Sequence, residues 1–321
     1  MEGVMKIAAD NIDRLLAIEM RRRGIPRGFK WRIFEIARAA HDEPLILAAA
    51  RPLAGAPMRV ALVTGAWVPD QMPVGESDGP YGTIVLARAL ARIGHRVTIY
   101  SDPETNPPLD FLARHLDLDI TVEAVKRGDP AVNETIARDF DAIVAVERLG
   151  QNGNGKIYSM NGFPLTEHHH AFDDCFRLMR AAGKPTISIT DGGNEIGNGK
   201  IRDALIRELP DLDLADRTPC GGGIISTTDC DVLVVANSSN LGCYGVVAGL
   251  ALLREDSSLC HDPDVEVALH HVGVGLGLID GGGGGAVAAC DGIPAESSAA
   301  LVHLVRNTVE RALEMPRERA F

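Results

Sequence analysis

Six short apolar runs set the strongest constraint on how this chain can fold. They cover residues 59–64, 96–100, 120–125, 142–146, 186–189 and 232–236. Their apolar residues are continuous rather than alternating, so each strand must be covered on both faces, as in a parallel sheet. Segments with helical periodicity lie between many of them, at 82–94, 133–139, 171–183, 199–209 and 241–254. This alternation predicts an α/β fold, a three-layer α/β/α sandwich around a mostly parallel, Rossmann-like sheet. Upstream, 10–24 and 30–50 read as two helices separated by Gly24-Ile25-Pro26, and the stretch from Pro52 to Pro57 ends the unit. Residues 1–57 are therefore expected to be a helical N-terminal extension packed on the core, with 58–321 as the α/β catalytic domain. A last helix is expected over 297–315, with Leu301, Leu304, Val305, Val309 and Leu313 on one face.

Charge and composition exclude several function classes. The 321 residues carry 32 basic and 44 acidic side chains, a formal charge of −12. Nucleic-acid binding needs clustered Lys and Arg, so it is not expected. Arg21, Arg22 and Arg23 form a basic cluster that reads as a solvated helix end. No apolar run reaches the ~18 residues of a membrane span, and residues 1–20 carry charge throughout, unlike a signal peptide. A cytoplasmic protein without a membrane partner is expected, and a homo-oligomer remains open. The six cysteines form no CxxC pair and read as reduced core residues. Glycine is in excess, with 34 residues, which points to tight turns and close backbone approaches.

In parallel α/β sheets, ligands bind beyond the carboxyl ends of the strands. Four expected strand ends here carry glycine-rich polar loops: 75–82, 147–150, 190–200 and 237–242. The strongest is Asp191-Gly192-Gly193-Asn194-Glu195, followed closely by Lys200. Its glycines bare backbone N–H groups ahead of a helix, a setting that binds carboxylate or phosphate. Asp191, Glu195 and Glu147 are the candidate catalytic carboxylates. Asp78, Gly79, Arg148, Gly192, Gly193, Asn194, Lys200, Ser239 and Asn240 are candidates for substrate binding. Helix capping by Asp191 and Asn194 is the structural alternative. Glu76, Asp78, Glu147 and Asp191 are weak metal candidates. The surplus of carboxylates over basic groups points to a hard cation such as magnesium or manganese, or to recognition of a substrate ammonium.

Other motifs fall short. The segment 150–156 resembles a P-loop, but Ile157 stands where a Ser or Thr would hold magnesium. No GxGxxG follows the first strand, and there is no GxSxG. Adjacent side chains in His168-His169-His170 diverge, which argues against a metal site. The five glycines 281–285 form either a mobile loop over the cleft or a plain connection.

At its loops the chain resembles the D-glutamate cyclase-like family. The resemblance runs from about Asn11 to Glu310. It is carried by Thr64-Gly65, Glu76-Ser77-Asp78-Gly79-Pro80 with Gly82, Ala145-Val146-Glu147-Arg148, Tyr158-Ser159-Met160-Asn161-Gly162, Asp173-Asp174, the Asp191–Gly197 segment with Gly199-Lys200, and Ser239-Asn240-Leu241-Gly242. The chain departs at Asn198, where the family often has Met, and at Leu149, where Pro is usual. The resemblance implies a lyase that cyclises D-glutamate to 5-oxo-D-proline with loss of water. Glu147, Asp191 or Glu195 would then accept the amine proton. Arg148, Lys200, the helix amides or a divalent metal would neutralise the attacked carboxylate. A metal-dependent hydrolase or phosphotransferase on a small anionic substrate, and a non-catalytic small-molecule-binding domain, are the alternatives.

Overall fold

The structure is a computed structural model that describes residues 2–20 and 28–314. The tri-arginine cluster and the expected Gly24-Ile25-Pro26 break lie outside the described residues. In chain order the helices and strands are α1 (Glu2–Leu16), α2 (Phe29–Ala39), α3 (Leu45–Ala50), β1 (Arg59–Thr64), α4 (Pro80–Arg92), β2 (Arg96–Ser101), α5 (Asn106–His115), β3 (Thr121–Ala124), α6 (Pro130–Asp139), β4 (Ala142–Val146), α7 (Asp173–Ala181), β5 (Thr186–Thr190), α8 (Arg202–Glu208), β6 (Val232–Val235), α9 (Ser239–Arg254), α10 (Pro263–Leu276), β7 (Ala289–Cys290), β8 (Ile293–Pro294) and α11 (Ala295–Leu313).

All six apolar runs are strands of one parallel sheet, in the order β3-β2-β1-β4-β5-β6. β4 and β5 are buried along their whole length, as continuous apolar runs require. Helices cover both sides of the sheet: α4 packs against α5 and α9, and α6 against α7. The strand order reverses between β1 and β4, which pair in register with Thr64 beside Val146. Strand order of this kind opens a crevice beyond the carboxyl ends of the two central strands.

Several expected elements shift. The first helix is 2–16 rather than 10–24, and Glu19 lies beyond it. The Glu19 carboxylate accepts the Gly28 and Trp31 amides at the start of α2. The expected helix 30–50 is two helices, because Pro44 cannot continue the first. The freed amides of Leu45 and Ile46 bond to Asp13 of α1. α1 and α3 both pack on α9, and α1 also meets α11. On α11 the buried face is Leu301, Val302, Val305 and Val309, whereas Leu304 is 48% exposed, one position off the expected stripe. No helix among the described residues is long and apolar enough to cross a membrane. All six cysteines are free thiols, five of them buried.

Candidate active site

Four loops at the carboxyl ends of the strands converge, tied together through the start of α9. The Asp78 carboxylate accepts the amides of Gly79, Ser239 and Asn240. The Asn240 amide oxygen accepts the amides of Gly79 and Gly82, at 3.0 and 2.7 Å, and its nitrogen donates to the Ser77 carbonyl. Asp78 and Asn240 therefore bind loop to helix rather than facing a ligand. Gly82 is needed for this: a Cβ there would come within 2.6 Å of the Asn240 Cα. Ser239 donates its hydroxyl to Glu147 Oε2 at 2.6 Å and to the Ile189 carbonyl. Glu147 directly follows β4 with a φ of 45°, a left-handed conformation uncommon for a residue with a side chain and one that recurs at functional sites.

The Asp191 loop holds its own anion. The Glu195 carboxylate is fully buried and accepts the amides of Asp191, Gly192 and Gly193 together with the Asn198 side chain. The bare amides expected to bind substrate are thus occupied by Glu195. This residue shapes the loop and does not line the cavity. Asn194 does line it, and its side chain donates to the Tyr158 carbonyl.

Below these loops lies a cavity of about 890 Å³. Glu76, Glu147, Asp191, Asp291 and Lys30 gather on its wall. The Lys30 ammonium bonds to Asp191 Oδ2, to Asp291 Oδ2 and, at 2.8 Å, to the Asn237 carbonyl. Two triads of carboxylates each place one oxygen within 4.8 Å of the others: Asp78, Asp191 and Asp291, and Glu147, Asp191 and Glu195. Burial pushes the carboxyls of Glu76, Glu147 and Asp191 well above the ordinary range. Neighbouring carboxylates push Glu76 and Glu147 further, whereas Lys30 pulls Asp191 back. Asp78 is pushed up to about 6 by burial and by Asp291, against the pull of Lys30 and the α9 amides.

Arg148 and Lys200 stand elsewhere. The Arg148 side chain is fully buried and pairs with Asp102 Oδ2 at 2.7 Å. It also donates to the carbonyls of Thr64, Gly65 and His170 and stacks on Phe172. All of its directions are used by the protein, so it does not face a substrate. Lys200 lies in a short 3₁₀ turn over Gly199–Ile201, away from the cavity lining. His169 and His170 are likewise internal: the Trp67 amide bonds to the His169 ring, and the His170 amide donates to Asp102. Residues 281–285 do line the cavity, save Gly283. Asp280 anchors them by accepting the amides of Gly282 and Gly292.

Two cavity residues were not among the expected ones. Lys30 is carried in by α2, and no local pattern marks it. Asp291 had a readable signal: Asp291-Gly292 between Cys290 and Ile293 is a hairpin-turn pair. The β7–β8 hairpin forms there, with both turn residues at positive φ.

Fold and site together define a parallel α/β protein with a carboxylate-lined cavity where its strand order reverses. The chain belongs to the family described as D-glutamate cyclase-like, C-terminal, whose model matches residues 35–306. It is 28% identical over 201 residues to the human protein named D-glutamate cyclase, mitochondrial. That match covers 56% of this chain and 30% of the human protein, so the chain spans less than a third of that relative. Two solved structures of Escherichia coli tRNA N6-threonylcarbamoyladenosine dehydratase, with ATP and with AMP, are similar at 13% and 14% identity. Each covers 73% of this chain and 98% of the other, with a TM-score of 0.28, too low to support a functional argument.

Proposed function

We propose that the chain is a lyase that cyclises D-glutamate to 5-oxo-D-proline and water. The observation that carries this reading is the meeting of Asp191, Asp291, Glu147 and Lys30 on one cavity wall, in a chain of the D-glutamate cyclase-like family. The substrate ammonium sits among the carboxylates, and Asp191 takes its proton. Asp191 suits that task because burial keeps its carboxyl basic. The freed amine attacks the γ-carboxyl carbon, and Lys30 offsets charge on the γ-oxygens. Two of the three ammonium protons leave with one γ-oxygen as water, and the third remains on the lactam nitrogen. Holding amine and carboxyl in contact removes the entropic cost of their encounter.

The all-oxygen carboxylate set also suits magnesium or manganese. Asp191, Asp291 and Glu147 would hold the ion, since Asp78 and Glu195 already accept several donors. Such an ion would withdraw charge from the γ-carboxylate. The test is incubation of the purified chain with D-glutamate, with chelator, magnesium or manganese, and quantification of 5-oxoproline. Turnover is expected, with Asp191→Asn slower by about 10²–10⁴-fold. No 5-oxoproline under any metal condition, or an unchanged Asp191→Asn rate, overturns the reading.

A further inference from the structure

The cavity has a second patch that free glutamate leaves unused. Val68, Leu149 and Leu165 line it together with Met72, and with Ala66 and Ile157 they form an apolar cluster separate from the main core. The loop 158–164 closes over this patch through a Ser159 amide bond to the Phe163 carbonyl and a Gly162 amide bond to the Ser159 carbonyl. Its tip, Phe163, lines the cavity while 43% exposed. At about 890 Å³ the cavity is in the range that encloses ligands of drug size, far larger than one amino acid.

Electrostatics point the same way. Four carboxylates line the cavity wall around Lys30, and Lys30 is already bonded to two of them. A substrate with two carboxylates meets like charge at its reacting end. A substrate whose γ-carboxyl is blocked as a neutral amide or ester meets none there.

Resting on the lyase reading above, we infer that the substrate is a γ-acyl derivative of glutamate whose leaving group is apolar and occupies the patch beside Met72, Phe163 and Leu165. The α-nitrogen forms a bond to the γ-carbonyl carbon, and the bond from that carbon to the leaving nitrogen or oxygen breaks. Of the three ammonium protons, one stays on the lactam nitrogen, one goes to the leaving group and one passes to solvent. No redox change occurs. The leaving amine or alcohol departs more readily than hydroxide, and the apolar patch supplies binding energy that free glutamate cannot reach.

The experiment compares D-glutamate with its γ-(4-nitroanilide), measuring 5-oxoproline from both and 4-nitroaniline from the second, against enzyme-free controls. The expected result is kcat/KM at least ~10-fold higher for the anilide. Phe163→Ala and Met72→Ala each lower the anilide-to-glutamate ratio of kcat/KM by roughly 5–10-fold, mainly through the anilide KM. If D-glutamate turns over while the anilide is neither cleaved nor competitive, this inference falls and the lyase reading stands. If neither compound yields 5-oxoproline, both fall. A ratio untouched by either variant also overturns the inference, because the patch then plays no part in binding.

Discussion

Replacing Arg148 by methionine separates a structural arginine from a substrate-binding one. The side chain is fully enclosed, 2.7 Å from Asp102, and supplies donors to three main-chain carbonyls. Methionine keeps much of the volume but leaves the Asp102 carboxylate buried without its ion-pair partner. Breaking a buried pair in this way costs about 3–5 kcal/mol. Three carbonyls that lose donors raise that figure, and the lost stacking on Phe172 adds to it. Domains are commonly stable by about 5–15 kcal/mol, so Arg148→Met removes a large fraction of the total. Urea unfolding followed by circular dichroism measures the loss. Adding Asp102→Leu removes the stranded charge, so the double variant is expected to recover part of it. The pH dependence has a defined sign. Burial opposes charge on Asp102, but Arg148 overrides it and holds that carboxyl below its ordinary value. Stability from the pair is therefore complete above about pH 4, the unfolded value, and is lost as pH falls through the lower folded value. The gap between wild type and variant should narrow in acid. A single variant with the wild-type midpoint at pH 7, or a double variant no better than the single, refutes the assignment.

Glu195→Gln leaves one anionic acceptor short in a nest of three amides, so a loss on the order of 2–3 kcal/mol in urea unfolding is expected, together with lower turnover. A wild-type midpoint would contradict its role in shaping the loop. Gly282→Ala places a Cβ 2.4 Å from the Asp291 carbonyl carbon, so Asp291 must move. Turnover should fall at least ~10-fold with the far-ultraviolet spectrum retained, because a displacement of the reacting geometry by about 1 Å can cost ~10²-fold. Since burial raises the Asp191 carboxyl, kcat/KM for D-glutamate should climb with pH on an acid limb centred above about pH 4. A profile flat from acid to neutral pH counts against Asp191 as the base.

The sheet was legible because each strand is buried on both faces, and burial of that kind leaves an uninterrupted apolar run. The Asp191 loop was legible for a similar reason, since paired glycines and acids stand out locally. What the loop does with its amides was not legible: whether Glu195 or a ligand fills them depends on a side-chain conformation, not on spacing. Arg148 misled because a motif arginine beside a catalytic-type glutamate looks the same whether it points into the cleft or beneath it. Here Asp102, at the end of β2, decides the direction. Lys30 could not be found because its position depends on how α2 packs against a loop 161 residues away. Helix α10 was missed because it is apolar nearly all round and shows little periodicity, with Gly273 and Gly277 interrupting it.

Lys30 and Asp291 are bonded across 261 positions of sequence, nearly the whole described chain. The cavity's charge balance therefore exists only after the first helices and the last hairpin have met. A nascent chain still missing its hairpin has every other carboxylate of the wall and no bridge to Asp291, and a chain shortened before that hairpin never acquires it. Catalytic competence is then among the last properties gained in folding, because contacts so distant in sequence carry the greatest loop-closure cost. In a cell this couples activity to intactness: fragments and half-folded chains stay silent, with no separate inhibitor needed.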